Sequence, residues 1–324
     1  MSQYDLTVLA QVCINIIVAL GLYITINSGQ LSGIHAAIMG VGGYLAGYVA
    51  IDLHGPLIAT VLLAVVAGGV VGSLVASSLF RLEGFYLSVA TLAAGQALVT
   101  VAENVQTIGG ANGLSGVPLR VGMPLLLTSA AVVILAVRSW DRSLGGYLTR
   151  ALGQDEIAAQ SCGVSLRRVR FLAFLVGGAL AAYAGALQAQ NIGIVVPASL
   201  GWQYETLLFF YVGIGGMDSY AGAVIGAVIV TALPEFLRFS VNGRYLVFGL
   251  ALALMMVFRP FGLLPRVPLS STSEARKLGR FVLHRRGRIG VPQSNEGDAP
   301  ASGRSDRSGI ERPLQESVAR FEEG

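Results

Sequence analysis

Residues 6–27 read LTVLAQVCINIIVALGLYITIN, 22 positions without one charged side chain. As a helix this stretch is about 33 Å long, enough to cross the roughly 30 Å hydrocarbon core of a bilayer. Working outward, apolar runs recur at 34–51, 56–80, 85–102, 121–137, 169–190, 202–216, 220–237 and 245–258, each bounded by charge, proline or a polar cluster. The runs ending at Gly216 and Phe258 are short for a full crossing and predict tilted, re-entrant or broken helices. The expected fold is an all-α polytopic membrane protein with about eight or nine transmembrane or re-entrant helices. Glycine and alanine crowd several runs, as in Gly40-Val41-Gly42-Gly43 and Gly177-Gly178-Ala179. Lipid gives no hydrophobic drive for helices to associate, so small residues that permit close approach mark helix contacts.

Charge divides the chain. Residues 1–269 hold 12 Arg, no Lys and 10 acids, whereas residues 270–324 hold 9 Arg, 1 Lys and 8 acids. A soluble domain is roughly 25% charged; the first part falls far below that and lacks the polar side chains to cover a water-facing surface. Two domains are therefore expected: a transmembrane domain at 1–269 and a disordered, Ser-, Gly-, Pro- and Arg-rich tail at 270–324. The net charge of +4 reflects loop and tail arginines and points to no nucleic-acid partner. Cys13 and Cys162 suggest neither a disulfide framework nor a zinc site, and no metal is expected. With Asp5 and no basic n-region ahead of the first run, no cleavable signal is expected.

Arginine in short loops sets orientation. Residues 138–170 carry Arg138, Arg142, Arg150, Arg167, Arg168 and Arg170. The segment after Phe258 carries Arg259, Arg266, Arg276, Lys277, Arg280, Arg285, Arg286 and Arg288. Both are expected in the cytoplasm. Counting back puts the N-terminus outside and Arg81 inside; Arg238 and Arg244 fall outside, against the trend.

Four constellations stand out. Residues 151–170, ALGQDEIAAQSCGVSLRRVR, lie between the fifth and sixth runs. Asp155 and Glu156 suit a helix start and Gly163 a helix stop, which predicts a short capped helix that docks a cytoplasmic partner. Residues 27–44, NSGQLSGIHAAIMGVGGY, form a glycine-polar break of the kind that lines a cavity. His35 within it is either a proton relay or ligand, or hydrogen-bonded structure. Residues 213–226, GIGGMDSYAGAVIG, read as close helix packing at a turn, with Asp218 as an N-cap. Residues 109–118, GGANGLSGVP, lack the Lys-Ser or Lys-Thr of a nucleotide-binding loop.

Glu103, Glu205, Asp218 and Glu235 all lie at or near run ends, and only Glu205 is placed to face an interior. That disfavours an ion-coupled carrier, which needs acids inside its spans. No paired His or Asp offers hydrolytic chemistry, so no catalytic residue and no enzyme is expected.

With these residues in view, the chain resembles the membrane permease subunits of branched-chain amino acid ABC importers, over about 16–265. The matching pieces are Ser28-Gly29-Gln30-Leu31-Ser32 with His35-Ala36, Arg81-Leu82-Glu83-Gly84-Phe85-Tyr86-Leu87, and Gly109-Gly110 with Asn112-Gly113. Asp155-Glu156-Ile157-Ala158-Ala159 with Gly163, Gly215-Gly216-Met217-Asp218-Ser219, and Arg259-Pro260-Phe261-Gly262-Leu263 complete them. The second, LivM-like type of subunit is the nearer match.

The resemblance implies an ABC importer permease fold in a bacterial inner membrane, contacting lipid. It implies a second permease subunit, two cytoplasmic ATPase subunits, and a periplasmic or extracellular substrate-binding protein. It implies no cofactor of its own, ATP being used by the partners. Asp155, Glu156, Ala159 and Gly163 would form the ATPase-coupling helix, with Glu156, Ala159 and Gly163 in a groove of an ATPase. The solute would be a branched-chain amino acid or a relative such as urea, a short amide or another amino acid. Polar or aromatic side chains in apolar runs mark Ser32, His35, Tyr86, Thr91, Gln96 and Glu205 as candidates for a translocation path. The competing reading is a stand-alone channel or ion-coupled carrier, for which Glu205 is the expected essential acid.

Overall fold

A computed structural model describes residues 3–79, 82, 84–236, 249 and 263. The run 245–258 apart from residue 249, Arg81, Glu83, the segment 259–262 and the tail 270–324 lie outside the described residues. The other eight apolar runs are helices: α1 (Gln3–Ile26), α2 (His35–Ile51), α3 (Leu57–Leu79), α4 (Gly84–Asn104), α5 (Met123–Asp141), α8 (Leu166–Ile192), α9 (Trp202–Gly215) and α10 (Tyr220–Phe236). Between α5 and α8 stand two further helices, α6 (Leu144–Gln154) and α7 (Glu156–Ser161). α1, α3, α4, α5 and α8 are long and apolar enough to cross a membrane, and α2 and α10 are shorter apolar helices.

The long helices divide into two kinds. Every residue from 12 to 25 in α1 is buried, so this helix is covered on all faces. α3, by contrast, buries one stripe, Thr60, Ala64, Gly68, Gly72 and Ala76 with Gly69 beside it, and α4 another, Leu87, Thr91, Gly95 and Val99. The four-residue spacing is one face of a helix. Large apolar side chains such as Ile58 and Leu62 cover the opposite face and are exposed, as suits a surface that lies in lipid.

α8 is the hub, and it is built of glycine where it meets its neighbours. A Cβ on Gly178 would lie 2.5 Å from the carbonyl oxygen of Gly68 in α3, and one on Gly177 would lie 2.8 Å from that of Gly21 in α1. A Cβ on Gly185 would collide with the Met39 carbonyl of α2. α9 and α10 meet in the same way through Gly215, Gly222 and Gly226. At each seam backbone lies directly on backbone, so dispersion contacts form along the helix axes. The turn between α9 and α10 thus packs as its glycines predict, although α10 begins at Tyr220, which leaves Ser219 in the position before the helix and Asp218 in the turn.

Polar bonds fasten what glycine brings close. Asn15 of α1 donates to the Tyr211 hydroxyl at 3.0 Å and to Thr231 Oγ1 at 2.9 Å, and its Oδ1 accepts from Tyr204 at 2.6 Å. One side chain therefore ties α1 to both α9 and α10. Inter-helix hydrogen bonds in membranes average about 0.6 kcal/mol each, so Asn15→Leu is expected to cost about 2 kcal/mol. Thermal unfolding in detergent should show a lower midpoint than wild type; an unchanged midpoint would remove Asn15 from the account.

The far ends of α4 and α8 carry a feature that helix periodicity does not announce. β1 (Leu114–Ser115) pairs antiparallel with β2 (Ile194–Val195), Leu114 opposite Val195 and Ser115 opposite Ile194. The polar glycine loop 109–118 thus serves as a clip: a Cβ at Gly113 would collide with the Val195 carbonyl. After β2 the chain turns back through residues 197–200 before α9 begins at Trp202.

Candidate functional site

Residues 27–34 leave α1, return into the bundle and deliver the start of α2. The first N–H groups of any helix lack partners within it, and here they lie deep in the protein. Glu205, from the first turn of α9, supplies one: its Oε2 accepts from the Ala36 N–H at 2.6 Å. Glu205 is 1% exposed. A carboxylate in such a place is costly unless paired, and the positive end of the α2 dipole offsets part of that cost. The remaining oxygen, Oε1, has no hydrogen-bond partner among the described residues.

The loop itself is pinned by α4. The Gly33 N–H donates to Thr91 Oγ1 at 2.8 Å, and Ser88 Oγ donates to the Leu31 carbonyl at 2.8 Å. His35 Nε2 lies 3.1 Å from Thr25 Oγ1, and its ring faces that of Phe174 at 6.5 Å between centroids. These contacts place His35 at the junction of α1, α2 and α8.

Beside this junction is a small, partly open space, lined by Gly33, Ala36, Leu92, Gln96, Trp202 and Glu205 among others. A second small space lies along Met39, Gly43, Gly185, Val195 and Ser199. Leu200 lines both, and the first is a groove between α2, α4 and α9. The six sequence-selected polar residues sort themselves around it. Gln96 and Glu205 line the cavity, whereas Ser32, His35 and Thr91 are fully buried beside it. Tyr86 does not join the group: it is 77% exposed in the first turn of α4. Leu92, Leu200 and Trp202 were not legible as lining, because an apolar side chain in or beside an apolar run carries no chemical flag.

The second feature gathers where α1 and α5 end and α8 begins. α6 and α7 meet at Asp155, which ends the first and caps the second. Its Oδ1 accepts from the Ala158 N–H at 2.9 Å. At the far end Gly163 has φ +82°, Gly163 N–H donates to Gln160 O at 2.8 Å, and Val164 N–H donates to Ala159 O at 3.1 Å. Those two bonds are a Schellman stop, which needs a left-handed residue and so favours glycine. The expected helix with both caps is present but spans only six residues. The helix before it was not expected. Asp155 breaks the two apart because its side chain bonds the backbone in a non-helical conformation.

The four residues selected for docking have distinct surroundings. Asp155 and Gly163 hold the ends of α7. Glu156 Oε2 pairs with Arg170 Nη2 of α8 at 2.8 Å, and Arg170 is 4% exposed. Ala159 is turned inward, packed with Leu152 and Val169. What α7 presents outward is Ile157, 79% exposed, with Ala158, Gln160 and Ser161. α6 is anchored as well: Arg150 pairs with Asp141 at 3.1 Å, Tyr23 donates to that same carboxylate at 3.1 Å, and a Cβ on Gly153 would lie 2.6 Å from the Asn27 carbonyl. The α6–α7 pair therefore touches both α8 and the start of the loop that carries α2.

Residues 5–259 match the model of the branched-chain amino acid transport system permease component. The chain is 30% identical over 297 residues to the LivM high-affinity branched-chain amino acid permease of Escherichia coli, covering 78% of this chain and 68% of that protein. It is 24% identical over 267 residues to the ribose import permease RbsC of Haemophilus influenzae, covering 78% of this chain and 82% of that protein. It is 26% identical over 274 residues to the autoinducer 2 import permease LsrC of Shigella flexneri, covering 80% and 77%. No solved structure matches the chain.

Proposed function

We infer the function from one premise: this chain belongs to the permease-component family of branched-chain amino acid transport systems, and it is LivM-like. It forms the solute path of an ATP-driven importer in the bacterial inner membrane, and the solute is a branched-chain amino acid or a small polar relative. A second permease subunit completes the path. Two cytoplasmic ATPase subunits hydrolyse ATP, so this chain needs no cofactor. A substrate-binding protein delivers the solute from outside.

The observation that carries this reading is the α6–α7 pair. Its short helix is capped at both ends, turns Ile157 to solvent, and is locked to α8 through Glu156 and Arg170. α8 in turn packs on α1, α2 and α3 through backbone contacts at glycine. A push on α7 thus reaches the helices around the groove with little compliance on the way, since packed interiors transmit strain. Alternating access then follows: closure of the ATPases moves α7, and the groove opens to one side or the other. The groove between α2, α4 and α9 is the path, with Gln96 and Glu205 facing the solute and Ser32, His35 and Thr91 holding the wall behind them.

Ile157→Arg tests it, because the substitution alters only the outward face of α7. Purified from mild detergent, wild type should retain ATPase subunits, and the variant should lose at least nine-tenths of them while the chain remains monodisperse. Equal retention would rule out α7 as the docking element. Uptake by vesicles that hold only this chain, without ATP, would establish a channel or carrier in place of a permease subunit.

A further inference from the structure

We propose that residues 27–34 are a linkage driven by α6, which carries movement of the α6–α7 pair to α4 and the start of α2 without passing through α8. The proposal rests on that pair being the element that docks the ATPases. It goes beyond that reading by assigning Gly153 and Ser88 as positioning residues at the two ends of a second route.

The driven end of the linkage is backbone on backbone. A Cβ on Gly153 of α6 would lie 2.6 Å from the Asn27 carbonyl oxygen and 3.4 Å from the Gly29 nitrogen. A Cβ on Gly29 would in turn lie 3.4 Å from Gly153 Cα and 3.5 Å from the Leu152 carbonyl oxygen. No side chain stands between the two strands of chain to swing aside and absorb a displacement. Leu152 also packs with Ala159 of α7, so the contact belongs to the docking pair as a unit. Asp141 keeps the spacing: it pairs with Arg150 of α6 and accepts from Tyr23 in the last turn of α1. α6 thus holds both the end of α1 and the first residues of the loop.

The delivering end grips the walls of the groove. The Leu31 carbonyl accepts from Ser88 Oγ and the Gly33 N–H donates to Thr91 Oγ1, each at 2.8 Å, and both partners are in α4. Three residues further on, the Ala36 N–H reaches Glu205 of α9. From Gly29 on α6 to Leu31 on α4 the chain advances two residues, at most about 7 Å. That is too short to take up slack. Gln30 Oε1 and Ser32 Oγ, within the same segment, are buried and have no hydrogen-bond partner among the described residues. Buried polar atoms left unpaired are costly, which favours a second position of the loop in which they are paired.

The test uses the assembled importer in vesicles, with its binding protein in excess and labelled leucine as the probe. The quantity read is leucine taken up per ATP hydrolysed. Gly153→Ala forces the Asn27 carbonyl away from α6, while alanine, the stronger helix former, keeps α6 itself intact. ATPase copurification and hydrolysis stimulated by the binding protein should stay within twofold of wild type, and leucine per ATP should fall at least fivefold. Ser88→Ala deletes the grip on Leu31 without adding bulk and should lower the same ratio at least twofold. Gln154→Ala, at an exposed position beside the contact, should leave it unchanged. A wild-type ratio in Gly153→Ala rejects the linkage. So does a parallel loss of hydrolysis and uptake, which would make α6 a support of the ATPase contact alone. Where Gly153→Ala does not assemble, Ser88→Ala decides: a lowered ratio upholds the route, and a wild-type ratio overturns it. A wild type that retains no ATPase subunits would sink the docking reading itself, and the linkage with it, before any variant is compared.

Discussion

Gly185→Leu is expected to abolish the packing of α2 on α8. The Cβ of any larger residue at 185 would overlap the Met39 carbonyl oxygen, which is backbone and has no rotamer to move to. α2 would have to shift bodily. That shift would break two bonds that fix it, Ala36 N–H to Glu205 at 2.6 Å at its start and Tyr44 hydroxyl to the Val195 carbonyl at 3.2 Å in its middle. Overpacking a well-filled interior costs about 1–3 kcal/mol; with backbone obstructing backbone, the upper end of that range or beyond is expected. For a chain of this size that corresponds to a fall in Tm of roughly 5 °C. The yield of monodisperse protein from mild detergent should drop steeply as well. Leu172→Ala, at an exposed position of the same helix, serves as the control and should leave both measurements close to wild type. A Gly185→Leu protein that melts with wild type would mean that α2 and α8 do not approach as described.

The second large effect is expected at the joint between α7 and α8. Glu156→Ala removes the carboxylate that faces the buried Arg170 guanidinium at 2.8 Å. Breaking a fully buried pair costs about 3–5 kcal/mol, and an exposed one about 0–1. Here the arginine side chain is 5% exposed and the glutamate 28%, so a cost near 2 kcal/mol is expected. A six-residue helix has no independent stability, because nucleation alone is unfavourable. Loss of the pair should therefore loosen α7 as a unit. Trypsin should cut faster at the exposed Arg167 and Arg168, and ATP-dependent uptake should fall at least tenfold. The double variant Glu156→Ala/Arg170→Met removes both charges and should regain stability relative to Glu156→Ala, since no guanidinium then remains in the interior. Additive losses in that cycle would show that the two side chains act independently.

The long helices were legible because length and apolar content are local properties. The run 56–80 became α3 at Leu57–Leu79, and 85–102 became α4 at Gly84–Asn104. The caps of α7 were legible for the same reason, since Asp155 and Gly163 act on backbone groups within a few residues of themselves. α6 was not. Its apolar residues are spread over eleven positions among glycines and an arginine, and its helical state is held by tertiary bonds such as Arg150 to Asp141.

Direction was hidden too. That Ala159 turns inward and Ile157 outward depends on which face of α7 meets α8, and the spacing of six residues leaves that open. Asn15 read as one polar residue in an apolar helix, yet it joins three helices because Tyr204, Tyr211 and Thr231 arrive from distant segments.

By itself the sequence determined that this is a helical membrane protein with glycine-built contacts and a short helix capped at both ends, because apolar length, small-residue clusters and helix caps act over a few turns of chain. Only the tertiary structure decided that the acid of α9 caps α2. Ala36 and Glu205 lie 169 residues apart. No short-range rule couples such positions, and it took the folding of α1, α2, α8 and α9 around one another to bring a carboxylate to that buried helix start.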